Sequence, residues 1–321
     1  MESRALDVYT KNQLITMIIG KYKNGNYNVI LHDDGTKVRF NNLDNLTPEF
    51  AESIDIKITD KCSIGCPFCY EGCSEHGKHS DIMSQEWIHT LHPYTEIAIN
   101  GNDMDHPELE EFLSYAKRKN IIVNITVNQL QLMKHYDAIK KLCDENLIHG
   151  VGISASVAFC PGATDKIQSI ENSVVHLING VADEDFFKWN KNTLSTMKVL
   201  VLGYKRVGKG VGYLEEHEQV KKNMDWLKGN IIDMVKNKSF DVVSFDNLAI
   251  EQLELEKQIR ENPELGLDWE SLYMGDDGQY SFYIDAVNKT FSKNSTVSKD
   301  VRYQINGMSV DEMFNFIRDT K

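Results

Sequence analysis

Three cysteines carry the chemistry that is most legible in this chain. Cys62, Cys66 and Cys69 stand in Lys61-Cys62-Ser63-Ile64-Gly65-Cys66-Pro67-Phe68-Cys69-Tyr70, a C-x3-C-x2-C run directly after a segment with strand alternation. Three thiolates so spaced can hold three irons of a four-iron, four-sulfur (4Fe-4S) cluster and leave the fourth iron without a protein ligand, open to a substrate or cofactor. Cys73 extends the run to C-x3-C-x2-C-x3-C and opens an alternative, a zinc site of four thiolates. Structural zinc sites usually draw their ligands from two separated pairs, whereas these four thiols fall within a dozen residues. That favours the cluster and leaves Cys73 as a bystander beside it.

The thiols need a frame, and the surrounding pattern supplies one. Ser53 to Thr59 alternates apolar Ile54, Ile56 and Ile58 with polar Asp55, Lys57 and Thr59. Strand patterns recur at Glu96 to Asn100, Ile121 to Val127, Gly150 to Ser154, Val174 to Asn179 and Met197 to Leu202. Between them lie helical stretches. One starts near Ser84 with Trp87, Ile88 and Leu91 on a face; another has Pro107 in its first turn and Leu109, Phe112, Leu113 and Ala116 along a stripe. Residues 130 to 145, 163 to 172 and 182 to 193 continue the series. Six strands joined by helices predict an α/β fold with parallel pairing and right-handed crossovers, and active groups at the strands' C-terminal ends.

The cysteine run and this alternation resemble the radical S-adenosylmethionine (radical SAM) superfamily over about residues 53 to 205. The resemblance implies a partial (β/α)6 TIM-like barrel. Its cofactors would be a 4Fe-4S cluster on Cys62, Cys66 and Cys69, and S-adenosyl-L-methionine chelated to the open iron. Reductive cleavage to a 5'-deoxyadenosyl radical would then abstract hydrogen from a substrate, with electrons from a reductant such as flavodoxin or ferredoxin. Phe68, just before the third cysteine, would lie near the adenine. Asn100-Gly101-Asn102-Asp103, followed by His106-Pro107, matches the family's Gly-Gly-Glu-Pro stretch loosely, without its glutamate, and would receive the methionyl amino group. Asn128, Ser154 and Ser156 resemble small polar groups that bind ribose or carboxylate. His176 to Asp183 resembles G-x-I-x-G-x-x-E, with Ile178 and Gly180 kept, His176 in place of the first glycine and Asp183 in place of the glutamate. Leu202 and Gly203 correspond to backbone groups offered to the adenine edge. Lys57, Lys205 and Arg206 could neutralise an acidic group, although solvated lysines are the simpler reading.

Outside that core, residues 1–50 read as a small β-rich unit: Leu14 to Gly20, Tyr27 to His32 and Thr36 to Phe40, with turns at Asn24-Gly25 and Asp34-Gly35. Such a meander is expected to pack on the barrel or near its mouth, as cover or as a clamp that adds a peptide strand. The core spans 51–205, and 206–321 forms a C-terminal α/β extension on the substrate side. In the extension, Leu214 to Lys236 reads as a polar helix and Asp241 to Asp246 as a strand. Asp246-Asn247 would cap the next helix or face substrate, Gly275 to Phe291 would form a hairpin, and Ser309 to Glu312 would be a capping box. Tyr280 to Asp285 resembles the start of the extension in peptide-modifying radical enzymes, without its cysteines. Cys143, beside Leu142, is expected to be a buried small hydrophobe. Cys160, after the fourth strand, is the candidate catalytic thiol, as a hydrogen-atom donor or substrate ligand.

At 321 residues and 41% apolar composition the chain can bury a large core. A net charge of -13 argues against nucleic acid and anionic membranes, and no run of about 18 apolar residues appears. The N-terminus lacks an apolar signal core, and free thiols suit a reducing compartment, so a cytoplasmic location is expected. A peptide or protein substrate is slightly favoured over a small metabolite or nucleotide. A non-catalytic iron-sulfur or zinc scaffold is the alternative of another class, kept open by the loose match at Asn100 to Asp103.

Overall fold

The computed structural model describes residues 17–43, 45–100 and 103–320, without the side chain of Asp103. Thirteen strands are described: β1 (Ile18–Asn24), β2 (Tyr27–His32), β3 (Lys37–Phe40), β4 (Ser53–Lys57), β5 (Glu96–Asn100), β6 (Ile122–Asn128), β7 (Gly150–Ser154), β8 (Ser173–Ile178), β9 (Lys198–Leu202), β10 (Val242–Phe245), β11 (Ser281–Asp285), β12 (Thr290–Ser292) and β13 (Tyr303–Gln304). β1 to β3 form an antiparallel meander. The other ten make one sheet in the order β10-β9-β8-β7-β6-β5-β4-β11-β12-β13, parallel from β10 through β11 and antiparallel beyond. Two further strands, β10 and β11, therefore flank the six expected ones. β11 lies beside β4 with Asp285 opposite Lys57.

The sheet's two faces differ in chemistry because successive side chains point opposite ways. Ile56, Ile99, Ile125, Ile153, Leu177 and Val201 are at most 1% exposed and join the main apolar cluster under the helices. Asp55, Asn100, Thr126, Ser154 and His176 occupy the other alternation and stay open to a lumen. The helices are α1 (Leu109–Arg118), α2 (Gln129–Asp144), α3 (Ala163–Gln168), α4 (Glu184–Trp189), α5 (Lys191–Leu194), α6 (Lys209–Glu216), α7 (Glu218–Lys236), α8 (Asn247–Leu253), α9 (Leu255–Glu261), α10 (Trp269–Leu272) and α11 (Val310–Asp319). α1 buries the predicted stripe of Leu109, Phe112, Leu113 and Ala116. α11 opens with the predicted capping box: Ser309 Oγ accepts from Glu312 N, and Ser309 N donates to Glu312 Oε2.

Some expectations need correction. The helix placed near Ser84 is two 3-10 turns, Ile82–Ser84 and Glu86–Thr90, split by extended backbone at Gln85 (φ -85, ψ 118). Trp87, Ile88 and Leu91 are buried all the same. The stretch 182 to 193 breaks at Asn190 into α4 and α5, and the long helix from Leu214 breaks at His217 into α6 and α7. The first strand is Ile18–Asn24, later than expected and running into a Gly25-Asn26 turn with Gly25 at φ +57; Leu14 to Thr16 lie outside the described residues.

The meander does not sit near the mouth. Arg39 forks onto Glu52, just before β4, with Nε to Oε1 and Oε2 both at 3.0 Å. Lys37 Nζ lies 3.0 Å from Glu96 Oε2 at the start of β5, and Asn172 Nδ2, just before β8, donates to Asp33 O at 3.4 Å. All of these contacts are at the strands' N-terminal ends, opposite the cysteine loop. A cavity of about 340 Å³ separates Ile19, Leu31 and Asp33 of the meander from Thr126, Gly152 and His176 on the inner face. Among the described residues, no helix is long and apolar enough to cross a membrane.

Candidate cluster loop and strand-end site

Beyond β4 the chain passes Thr59 and Asp60 into a loop pinched at its neck. Asp60 N donates to Lys78 O (2.8 Å), Cys62 N to Ser74 O (2.8 Å) and Ser74 N to Asp60 O (3.1 Å). Gly77 is required there, since a Cβ would stand 2.0 Å from Asp60 O. Cys62, Cys66 and Cys69 are half-buried within the loop, and Cys73 is buried behind them. The Cys69 thiol is lowered to about 6, first by a hydrogen bond from Cys73 and then, against the opposing effect of burial, by the N–H groups of Cys73, Gly72 and Glu71. Cys66 is pushed up by burial and then by the charges of Cys69 and Cys62.

That donor set fits a cluster ligated by thiolates, because one loop carries three accessible thiols and stabilises one as the thiolate that metal ligation needs. Among the described residues, no three His, Cys, Asp or Glu side chains already converge on a single metal position. Cys73 acts as a donor to Cys69 and lies 3.9 Å from Thr59 O.

Sequence reasoning missed the surroundings of this loop. Lys57, read as solvated, is fully buried, with its ammonium 2.6 Å from Asp285 Oδ2, 2.8 Å from Asp60 Oδ1 and 3.4 Å from Glu71 Oε2. Lys205 is also engaged: its Nζ donates to Ser295 Oγ (2.8 Å) and stands 3.9 Å from the Tyr70 ring centroid. The segment after β9 presses on the loop. Lys209 N donates to Cys69 O (3.1 Å), Lys209 Nζ donates to Cys73 O (2.8 Å), and the Phe68 ring meets Tyr213 edge-on at 5.6 Å.

The remaining predicted residues fall along the strand ends on the same side as the loop. Asn100 ends β5 opposite Lys57. Gly101 and Asn102 lie outside the described residues, and Asp103 opens a 3-10 turn, Asp103–Asp105. His106 is buried, with Nε2 3.0 Å from Ser80 O. Asn128 ends β6 beside Ser154 of β7, and its side chain caps α2 by accepting from Leu130 N at 2.9 Å. Ser156 Oγ accepts from Ile178 N at 2.9 Å. Ile178 pairs with Leu202. Gly180 has φ +86, where a Cβ would meet Met224 Cγ at 2.7 Å, and Asp183 caps α4. Gly203 N donates to Asp246 Oδ1 (2.8 Å), which also caps α8 through Ala249 N. Cys160 and Cys143 pack against the apolar cluster, and Cys160 N donates to Gln129 Oε1 at 2.7 Å.

Two inner-face residues went unremarked as site candidates. Asp55 on β4 projects into the lumen among crowded protein, and its carboxyl is raised to about 6 by burial and by Asp277, Asp246 and Glu71, against the pull of Lys205. His176 is lowered to about 4 by burial and by Lys205. The inner-face alternation was their available signal.

No protein-family model matches the sequence, and no curated protein matches it. Solved structures do resemble it. Streptococcus suis SuiB bound to its precursor peptide SuiA superposes with a TM-score of 0.55 at 12% identity, over 85% of this chain and 66% of that one. SuiB bound to S-adenosylmethionine (TM-score 0.48, 13% identity, 77% of this chain and 61% of that one) is weaker. So is anSMEcpe with AdoMet and the Cp18Cys peptide (0.47, 12%, 83% and 82%). The chain spans 66% of the length of SuiB in the first structure. The likeness to that structure shows the fold alone, an α/β architecture built on one large, mostly parallel sheet.

Proposed function

From the radical SAM fold and the cysteine loop beyond β4, we propose that this chain is a radical SAM enzyme with one 4Fe-4S cluster. The single observation that carries the reading is that Cys62, Cys66 and Cys69 stand half-buried in one pinned loop at the strands' C-terminal side, with Cys69 favoured as thiolate. When bound, the cluster and S-adenosylmethionine would supply a 5'-deoxyadenosyl radical that abstracts hydrogen from substrate.

This chain's own residues would bind and orient. Phe68 and the strand-end residues Asn100, Ser154, Ile178, Gly180 and Leu202, with Asn128 beside them, would hold S-adenosylmethionine; Gly101, Asn102 and Asp103 would complete the amino-group site. The lumen beside Asp55 and His176 would receive substrate. The substrate class is a peptide or protein, supported by the likeness to SuiB, whose structure holds a precursor peptide. The meander's place at the far end of the sheet gives the strand-addition clamp no support. A reductant such as flavodoxin or ferredoxin would deliver the electron in the cytoplasm, and Cys160 remains the candidate thiol for a later hydrogen transfer.

The test is anaerobic reconstitution with iron and sulfide, reduction with dithionite, addition of S-adenosylmethionine and quantification of 5'-deoxyadenosine, beside a triple Cys62, Cys66, Cys69 to Ala control. Product from the wild type alone supports the enzyme. A loaded cluster that yields none, with candidate peptides and metabolites present, favours the scaffold, and bound zinc without iron overturns the cluster.

A further inference from the structure

Lys57 ends β4, at the entrance to the cysteine loop, and its ammonium is wholly buried. The carboxylates around it come from two directions. Asp60 (2.8 Å) lies at the loop's neck and Glu71 (3.4 Å) lies within the loop, whereas Asp285 (2.6 Å) ends β11. Arg302 holds the same Asp285 Oδ2 at 3.2 Å, and its guanidinium lies 4.6 Å from the Tyr283 ring centroid. The Tyr283 hydroxyl donates to Glu71 Oε1 at 2.9 Å, and Lys299 Nζ donates to Glu71 O at 2.9 Å. Residues from 283 to 302 therefore grip the loop that begins at residue 61.

We propose that Lys57 is a positioning residue for the cysteine loop. Its ammonium locks Asp60 and Glu71 to Asp285, so that the segment from β11 to Arg302 forms half of the housing of the three thiols and sets the buried charge beside them. The charge part rests on the proposed cluster; the mechanical part does not. Buried carboxylates tolerate one another only while the cations between them stay in place, since each unpaired charge in a poorly solvated site is costly. Removing the ammonium leaves the three carboxylates with one cation fewer among them and makes the surroundings of the loop more negative. Negative charge close to the loop opposes the electron that reduction adds and favours the oxidised cluster.

The experiment uses the full chain as wild type, Lys57→Met, Lys57→Arg and the near-isosteric Asp285→Asn. In metal-free protein, alkylation of Cys62, Cys66 and Cys69 by iodoacetamide is followed by peptide mass spectrometry, with Cys143 as internal reference. In Lys57→Met the three loop thiols should react about fivefold faster or more while Cys143 is unchanged, as expected for local opening without global unfolding. Lys57→Arg should restore much of the protection. Loop thiols that react at the wild-type rate in Lys57→Met overturn the proposal, whether or not iron binds. If Cys143 accelerates equally, the variant has unfolded and the same comparison is read from Asp285→Asn, where unchanged loop rates overturn the proposal. In iron-loaded protein, the midpoint potential should fall in Lys57→Met and rise in Asp285→Asn; equal potentials overturn the charge part. A wild type that takes up no iron refutes the proposed cluster, and the alkylation rates then decide the role of Lys57 alone.

Discussion

The Gln252 side-chain amide pairs with the backbone of Tyr204 on both sides, its Oε1 accepting from Tyr204 N at 2.9 Å and its Nε2 donating to Tyr204 O at 2.9 Å. Asn179 Nδ2, just past β8, donates to the same Oε1 at 3.0 Å. One side chain from α8 thus ties together the ends of β8 and β9, where Ile178, Gly180 and Leu202 are proposed to hold the adenine. Gln252→Leu would strip partners from the backbone of Tyr204, which is 2% exposed, and from the fully buried Asn179. Each buried group left unsatisfied costs about 1–3 kcal/mol, so a loss of about 2–4 kcal/mol is expected after partial relaxation. Urea unfolding monitored by circular dichroism reads this directly. A change below about 0.5 kcal/mol would mean that water or neighbouring groups replace the amide with little penalty.

Cys73 is expected to matter to Cys69 without ligating iron. In metal-free wild type, the alkylation rate of Cys69 should rise with pH around a midpoint near 6, since its thiolate is stabilised chiefly by the Cys73 hydrogen bond. Cys73→Ala should move that midpoint upward while reconstituted iron content stays at the wild-type level. Loss of iron from Cys73→Ala would make Cys73 a fourth ligand and revive the zinc-like arrangement.

What the sequence displayed and what it hid divide along sequence distance. The cysteine spacing, the alternation in β4 through β9 and the Ser309 to Glu312 capping box are local patterns, and each was legible. At Ile82–Thr90 the apolar spacing of Trp87, Ile88 and Leu91 fits a 3-10 turn as well as an α-helix over so few residues, and the extended Gln85 that separates the turns leaves no apolar signature. The fate of Lys57 was hidden for another reason. Its burial depends on β11 entering the sheet beside β4, a pairing between segments far apart in the chain, and no local pattern in either segment announces the other. For the same reason the grip of the segment after β9 on Cys69 and Tyr70 could not be read from the cysteine motif alone.

Gly208 makes that grip testable. It adopts φ +57 and ψ -136, a region that side chains avoid, and a Cβ would stand 2.2 Å from Tyr70 O and 3.0 Å from Cys69 O. Gly208→Ala should therefore displace the segment carrying Lys209 and Tyr213 from the loop at a cost of about 2–4 kcal/mol. Reconstituted iron content should fall with it, whereas Gly212→Ala, with open space around the glycine, should leave both unchanged. Equal behaviour of the two variants, by thermal melting and iron assay, would show that this contact does not support the loop.

Asp55 and His176 should give the protein two opposed pH dependences that nearly conceal each other. The folded state keeps Asp55 protonated up to about pH 6, while the unfolded chain releases that proton near 3.8. Between these values the native state binds more protons, so this group makes stability fall as pH rises. His176 behaves the other way. It stays neutral in the folded state down to about pH 4, whereas the unfolded chain protonates it near 6.5, so stability is lost as pH drops through that window. Both groups face the lumen and both sense Lys205, so their windows overlap. Asp55→Asn should uncover the histidine, with unfolding free energy that climbs more steeply than in the wild type from about pH 4 to 6.5. His176→Gln should uncover the carboxyl, with a shift toward falling stability between about pH 3.8 and 6. The comparison is each variant minus wild type, measured by urea unfolding across pH 4 to 8, which removes the titration of every other group. Difference profiles of the same sign would refute the assignments. Opposite profiles would establish that the inner face of the sheet carries both a carboxyl held protonated up to about pH 6 on β4 and an imidazole held neutral down to about pH 4 on β8.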